Sequence, residues 1–107
     1  MKAANLLHPL PPPGPEEHFE DLLSRPGCRI ERIVSHGQQS PQDSWYDQDE
    51  DEWVLVVSGG ASLEFADPAE TVALCPGDHV LIPAHRKHRV AQTESPTVWL
   101  AVWMPVA

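Results

Sequence analysis

Basic residues, cysteines and long apolar runs are all scarce in this chain. Seven Lys and Arg stand against sixteen Asp and Glu, which gives a formal net charge of -9 at pH 7. Nucleic acids and anionic membrane surfaces are bound through clustered Lys and Arg, so the composition disfavours both as partners. No apolar run approaches the roughly 20 residues that a membrane-spanning helix needs.

The cysteine count and the N-terminal sequence indicate the compartment. Only Cys28 and Cys75 occur, so the sequence predicts no disulfide framework. Near the N-terminus, one Lys precedes a short Ala/Leu stretch that His8 and Pro9 interrupt. This is too little for the apolar core of a secretory signal. Together these features predict a cytoplasmic protein.

The length and the apolar content predict one domain. Of the 107 residues, 41% are hydrophobic, which is enough to bury a single core. Prolines crowd positions 9–15, and they favour an extended arm over residues 1–14, with a disordered leader as the alternative. Residues 15–25 begin with Pro and two Glu, and their apolar side chains share one helical face. This pattern predicts a short N-terminal helix.

Residues 26–107 are predicted to form strands and turns. Apolar, β-branched segments alternate with Gly, Pro and Asp turn signals at a spacing of roughly ten residues. The predicted strands are 29–35, 53–57, 61–66, 71–74, 79–82, 88–93 and 97–103. Because no helices alternate with these strands, a parallel α/β sheet is excluded. The sequence predicts an all-β sandwich or barrel.

One predicted strand places a carboxylate among apolar side chains. Side chains alternate across a strand, so Glu52 shares a face with Val54 and Val56. A buried carboxylate is costly unless it is paired or binds a cation. His88 begins another predicted strand, and Asp47 precedes the strand of Glu52. Carboxylate and imidazole ligands from separate strands suit Zn, Fe, Mn, Ni or Cu, so these residues predict a metal site or a catalytic acid.

The spacing of these residues resembles the two sequence motifs of the cupin superfamily. Six residues separate Glu52 from Gly59, as at the end of the first cupin motif. Gly77, Pro83 and His88 follow the spacing of the second motif, in which a His completes the site. The paired motifs lie in the part of the chain that is predicted to form the barrel.

More narrowly, residues 29–85 resemble a group of small bacterial single-domain cupins without an assigned activity. The resemblance implies a cupin-type antiparallel jelly-roll β barrel, a homodimer and a divalent metal held by an HxH pair, one Glu and one further His. Glu52 and His88 match the Glu and the second-motif His. Trp45 and Asp47 stand at the HxH positions, and of these two only Asp47 can bind a metal.

Other residues are expected to complete the site or to line it. His36 or His85 could replace the missing imidazole ligand, which would give a mixed set of carboxylates and imidazoles. Trp45 and Tyr46 could form the wall of a substrate pocket or pack on their own loop. Gln92 falls where the second motif of the family has Asn, and it is expected to face the pocket.

The two central residues also have structural alternatives. Glu52 could form an ion pair with Arg32 or Arg89 inside the barrel. His88 could line the barrel and donate a hydrogen bond to a carbonyl group. In either case, the residue would stabilise the barrel without binding a metal.

The leading hypothesis is a small metal-binding cupin that acts on a small organic molecule. The reaction type stays open among dioxygenase, isomerase and lyase, and Glu52 or a freed His would serve as the general base. The alternatives are a non-catalytic barrel that binds or senses a small ligand, and a structural dimer without a metal.

Overall fold

The computed structural model describes residues 1–106, and eight β-strands make up its regular structure. In chain order the strands are β1 (His18–Arg25), β2 (Cys28–Ser35), β3 (Glu50–Ser58), β4 (Ala61–Phe65), β5 (Glu70–Leu74), β6 (His79–Ile82), β7 (His88–Thr93) and β8 (Thr97–Pro105). The seven predicted strands correspond to β2 through β8. Within the described residues, no helix is long and apolar enough to cross a membrane.

Two antiparallel sheets enclose the hydrophobic core. One sheet has the strand order β1-β2-β8-β3-β6, and the other has the order β5-β4-β7. Strands that are distant in the chain, such as β2 and β8, are neighbours, which is characteristic of a jelly roll. The all-β prediction is therefore confirmed. The apolar core between the sheets consists of Ile33, Val54, Val56, Ala61, Leu63, Phe65, Leu74, Ile82, Trp99 and Ala101.

Strand β3 shows the alternation that its sequence predicts. Glu52, Val54 and Val56 are buried on the inner face, whereas Trp53 and Leu55 are only half-buried. Hydrogen bonds to β6 on one side and β8 on the other fix this orientation. A slip of the register by one residue would turn the apolar inner face towards solvent. Glu52 is thus carried into the interior by the apolar residues that follow it.

The predicted N-terminal helix over residues 15–25 is wrong. His18–Arg25 form β1, an exposed edge strand that pairs with β2. The register shifts between Asp21 and Leu23, so Leu22 is an extra residue that forms a bulge. The bulge interrupts the two-residue alternation of the strand. The resulting spacing of apolar residues resembles the repeat of a helix.

The proline-rich segment, residues 1–14, lies against β2. The Arg32 guanidinium donates hydrogen bonds to the carbonyl of Leu6 at 3.2 Å and to the carbonyl of Pro9 at 2.9 Å. Arg32 alternates along β2 with residues that face the barrel interior, so the arm covers the outer face of this sheet. Arg32 is therefore occupied with the arm, and it does not pair with Glu52.

Candidate functional site

A cavity of about 260 Å³ lies between the two sheets. Its apolar wall comes from core residues of both sheets, and its polar groups come from β2, β3, β7 and the segments that precede β1 and β3. These polar residues are Glu17, Arg29, Glu31, Tyr46, Gln48, Glu52 and His88. The space between the two sheets thus holds several ionisable side chains.

Glu52 and His88 approach one another across this cavity. Glu52 is on β3 of the larger sheet and is 6% exposed, and His88 is on β7 of the smaller sheet and is 4% exposed. His88 Nε2 is 4.0 Å from Glu52 Oε1. Main-chain hydrogen bonds between Tyr46 and His88, at 2.7 and 3.2 Å, fix the start of β7 beside the segment that leads into β3. The structure therefore brings together the two residues that match the cupin motifs.

The hydrogen bonding of His88 defines its tautomer. Its Nδ1 is 2.9 Å from the carbonyl oxygen of Arg86. A carbonyl can only accept, so Nδ1 carries the proton and Nε2 presents a lone pair to the cavity. Burial lowers the pKa of His88, and the bond to Arg86 opposes this only in part. The imidazole is thus held neutral, with its basic nitrogen directed towards Glu52.

The Glu52 carboxyl has a strongly altered affinity for protons. Burial and the neighbouring charge of Glu31 raise its pKa from 4.5 to about 7, although a hydrogen bond with Gln48 and the charge of Arg29 act in the opposite direction. Desolvation is the largest cause, because a buried carboxylate loses the water that stabilises its charge. Near neutral pH, Glu52 therefore exists in both protonation states.

A second carboxylate in the cavity is firmly held. Glu31 accepts hydrogen bonds from Trp103 Nε1 at 3.2 Å and from Arg29 Nη1 at 3.3 Å. The Arg29 guanidinium also stacks over the Trp103 ring at 4.8 Å and is 3.6 Å from Asp21. These contacts hold the Glu31 side chain in one orientation, and its charge favours the protonated form of Glu52.

A third carboxylate, Glu17, lies at the edge of the cavity. It accepts a hydrogen bond from the Ser35 hydroxyl, which itself accepts one from Trp99 Nε1 at 3.0 Å. Burial raises the pKa of Glu17, and the bond from Ser35 opposes that shift. Glu17 precedes β1, so the strand that replaces the predicted helix also supplies a polar group to the site.

The other predicted ligands lie elsewhere. Asp47 and His85 contact one another on the surface, with His85 Nδ1 2.8 Å from Asp47 Oδ1, and both side chains are exposed. His36 bonds to the Pro11 carbonyl at 3.1 Å and to Ser95 Oγ at 3.3 Å, beside the N-terminal arm. None of these three side chains lines the cavity that contains Glu52 and His88.

The three predicted pocket residues also differ in position. Tyr46 lines the cavity, with its ring 5.5 Å from that of His88, whereas Trp45 lies outside the lining; both side chains are partly open to solvent. Gln92 is exposed as well. The register of β7 on β4 moves from Val90 directly to Gln92, so Ala91 is a bulge that turns Gln92 outwards.

Gln48 was not singled out from the sequence, although it lines the cavity and bonds to Glu52. The alternation of side chains along an extended chain could have predicted this position. Gln48 and Tyr46 lie four and six positions before Glu52, so an extended chain places all of them on one face. Trp45 and Asp47 belong to the opposite face, and both lie outside the cavity lining.

The donor groups do not match a cupin metal centre. Among residues 1–106, no group of three or more His, Cys, Asp or Glu is arranged to hold a metal ion. Of the predicted ligands, Glu52 and His88 alone lie together in the cavity, whereas catalytic zinc sites use three protein ligands and an open position. The predicted set of Glu52, His88 and Asp47, completed by His36 or His85, is thus not assembled in one place.

Fold and cavity together define a small jelly-roll protein with a buried carboxylate–imidazole pair. A sequence model of the cupin domain matches residues 31–103. The chain therefore belongs to the cupin superfamily, as the spacing of Glu52, Gly59 and His88 predicts. No curated protein matches the chain significantly.

Solved structures extend this finding. A candidate mannose-6-phosphate isomerase of Ralstonia eutropha is similar, with 47% identity, coverage of 99% of this chain and 100% of that one, and a TM-score of 0.93. A cupin superfamily protein of Desulfitobacterium hafniense has 18% identity, coverage of 91% and 84%, and a TM-score of 0.75. The DMSP lyase DddQ of Ruegeria pomeroyi has 18% identity, coverage of 82% and 46%, and a TM-score of 0.69. The last two likenesses show the shared fold alone.

Proposed function

We propose that this cupin catalyses proton transfer on a small organic molecule inside the cavity, with Glu52 and His88 as the acid–base pair. The observation that carries the proposal is their position. Two buried ionisable groups from opposite sheets face one another at 4.0 Å in a space of about 260 Å³. This separation exceeds a hydrogen bond, so an atom of a bound molecule can contact both groups.

The two groups have complementary roles in this reaction. Neutral His88 accepts a proton at Nε2 from a carbon next to a carbonyl group. Protonated Glu52 donates its proton to the carbonyl oxygen, and an enol forms. In an isomerisation, the carbon that loses its proton carries a hydroxyl group. The ionised Glu52 takes the proton of that hydroxyl, and His88 returns its proton to the former carbonyl carbon. In an elimination, a leaving group departs from the next carbon and the enol proton returns to Glu52. A pKa of about 7 suits Glu52 to both directions of transfer near neutral pH.

Among the reaction types that the sequence left open, this chemistry supports isomerase or lyase activity. The similar protein of Ralstonia eutropha is named as a candidate isomerase, which agrees with this class. A mononuclear divalent-metal site is not part of the proposal, because the predicted ligands lie apart. The homodimer expected from the family stays a proposal. The exposed apolar side chains of edge strand β1 would contribute to its interface: Phe19, Leu22 and Leu23.

Solvent-exchange measurements test the proposed activity directly. Wild-type protein is incubated in D₂O with a panel of small carbonyl compounds, and carbon-bound deuterium is detected by NMR. We expect exchange into at least one compound, and a loss of about 100-fold or more in Glu52→Gln and in His88→Asn. Glu70→Gln, which changes an exposed carboxylate on β5, is the matched control and should retain the activity. Exchange that persists in both cavity variants would contradict the proposal.

A non-catalytic binding barrel is the second candidate. The contacts of Glu31 with Trp103 and Arg29 favour it, because they hold the cavity in a fixed shape that can select a ligand without turnover. In that case, a compound would bind in the cavity, yet no carbon-bound hydrogen would exchange. The D₂O experiment combined with a binding measurement therefore separates the two functions.

A further inference from the structure

The ionisable groups that line the cavity are mainly acidic. Glu17, Glu31 and Glu52 contribute carboxylates, and Arg29 supplies the guanidinium. Arg29 already contacts Glu31 at 3.3 Å and Asp21 at 3.6 Å, and its side chain is about one-third exposed at the edge of the cavity. A ligand inside the cavity therefore meets carboxylates that the protein itself does not fully neutralise.

Two deeply buried groups in the cavity are available to a ligand. Within residues 1–106, His88 Nε2 makes no hydrogen bond, and the nearest acidic atom is Glu52 Oε1 at 4.0 Å. In the same part of the chain, Glu52 has no Lys or Arg nitrogen within 4.0 Å of its carboxylate. Both side chains are more than nine-tenths buried. Buried ionisable groups that lack an oppositely charged partner are costly unless a ligand contacts them.

Aromatic rings form much of the remaining lining. Phe19, Tyr46, Trp99 and Trp103 all border the cavity. The face of an aromatic ring carries partial negative charge and attracts cations, most strongly in Trp. Carboxylates and aromatic faces thus both attract a bound positive charge.

We propose that the cavity binds a small organic cation, whose positive group lies among the carboxylates of Glu17 and Glu31 and the neighbouring aromatic rings, while its reacting carbons face Glu52 and His88. The inference rests on the proposed function, since it names the class of substrate on which Glu52 and His88 act. A quaternary or primary ammonium group is the chemistry that this lining recognises.

A sugar phosphate fits this lining poorly. Phosphate groups are bound by Arg, Lys or the N-terminus of a helix. The cavity has Arg29 alone among these, and that residue is already paired with two acids. No Lys or Arg occurs in the sequence between Ile33 and His85. The expected substrate therefore differs in charge from the one for which the similar Ralstonia eutropha protein is named.

Calorimetric titration with probes of matched shape tests the charge preference. The probes are choline, its neutral isostere 3,3-dimethylbutan-1-ol, and mannose 6-phosphate, at a pH above the pKa of about 7 of Glu52. We expect choline to bind about tenfold more tightly than the isostere. Glu17→Gln and Glu31→Gln should remove most of this preference, because both lose a negative charge next to the ligand. Glu70→Gln should retain it.

Several outcomes would overturn the proposal. These are no binding of choline, equal or tighter binding of the isostere or of mannose 6-phosphate, and an unchanged preference in both cavity variants. Failure of this inference is distinguishable from failure of the proposed function. A neutral compound that binds and exchanges hydrogen in a Glu52-dependent way would contradict the proposed preference for a cation but would support the proposed catalysis. If choline binds in the cavity but no compound exchanges hydrogen, the proposed catalysis is contradicted and the preference for a cation is retained.

Discussion

Glu52 links the stability of the barrel to the chemistry of the cavity. Its pKa lies at about 7 in the folded chain, against an ordinary value of 4.5. Because the folded state favours the protonated form, ionisation destabilises the fold. This cost is absent below about pH 4.5, grows as the pH rises to about 7, and is constant above that. The shift corresponds to about 3 kcal/mol.

Glu52→Gln should therefore stabilise the protein at high pH. At pH 8 we expect the variant to exceed wild type by up to about 3 kcal/mol in the free energy of unfolding, and at pH 4 we expect no difference. Urea unfolding of protein dialysed against EDTA measures this. Glu31, Arg29 and His88 face Glu52, and they are unchanged in both proteins, so their own titration largely cancels. A variant that is no more stable than wild type at pH 8 would contradict the assigned shift.

The sequence located the two central residues of the cavity and missed most of their neighbours. Glu52 could be placed because the apolar strand after it fixes which face is buried. Gln48 and Tyr46 precede that strand. In this segment, the HxH positions of the family motif can be aligned with the chain in two ways. Glu17 reaches the cavity through the pairing of β1 with β2, and no local pattern reveals that pairing.

At the scale of the elements, strand positions were more predictable than strand registers. Strands β2 to β8 have β-branched, alternating sequences that turn signals separate, so their positions follow from local physics. Bulges do not. The extra residue Leu22 made β1 resemble a helix, and the extra residue Ala91 turned Gln92 away from the cavity. A bulge depends on the partner strand, so local sequence patterns do not locate it.

The turn between β3 and β4 is the element most sensitive to substitution. Gly59 has a φ of +85°, and a Cβ atom there would lie 2.5 Å from the Pro96 carbonyl oxygen. The neighbouring Gly60 exchanges hydrogen bonds with the Thr97 hydroxyl at 3.2 and 3.0 Å, which fixes this approach of the hairpin to β8. The turn that follows Glu52 therefore leaves no space for a side chain.

Gly59→Ala should destabilise the protein more than the same change at Gly77. Gly77 has a φ of +93°, but no atom lies within 4 Å of the position of its Cβ. Gly77→Ala thus measures the backbone strain alone, about 1–2 kcal/mol. We expect Gly59→Ala to cost about 3 kcal/mol or more, because a backbone carbonyl must also move. Equal losses for the two variants in urea unfolding would show that the close approach to Pro96 does not constrain the turn.

At the scale of the whole molecule, the charges are unbalanced as well as unevenly distributed. The formal net charge is -9, and ten of the sixteen acids lie between residues 33 and 85, where no Lys or Arg occurs. Three of the seven basic side chains, Arg29, Arg32 and Arg89, are each already paired with an acid. The folded chain therefore concentrates negative charge that its own cations do not neutralise.

Added salt should raise the thermal stability of this protein. Raising the ionic strength from about 0.01 to 0.15 M shortens the screening length from about 30 to 8 Å, which weakens repulsion among the acids. Screening also weakens the ion pairs, but exposed pairs contribute little to stability. We expect the Tm at pH 8 to rise by a few degrees, and the effect to vanish near the sequence pI of about 4.9, where the net charge is small. Calorimetric scans at both pH values measure this. A Tm at pH 8 that falls with salt would mean that the ion pairs of Arg29, Arg32 and Arg89 stabilise the fold more than the excess acids destabilise it.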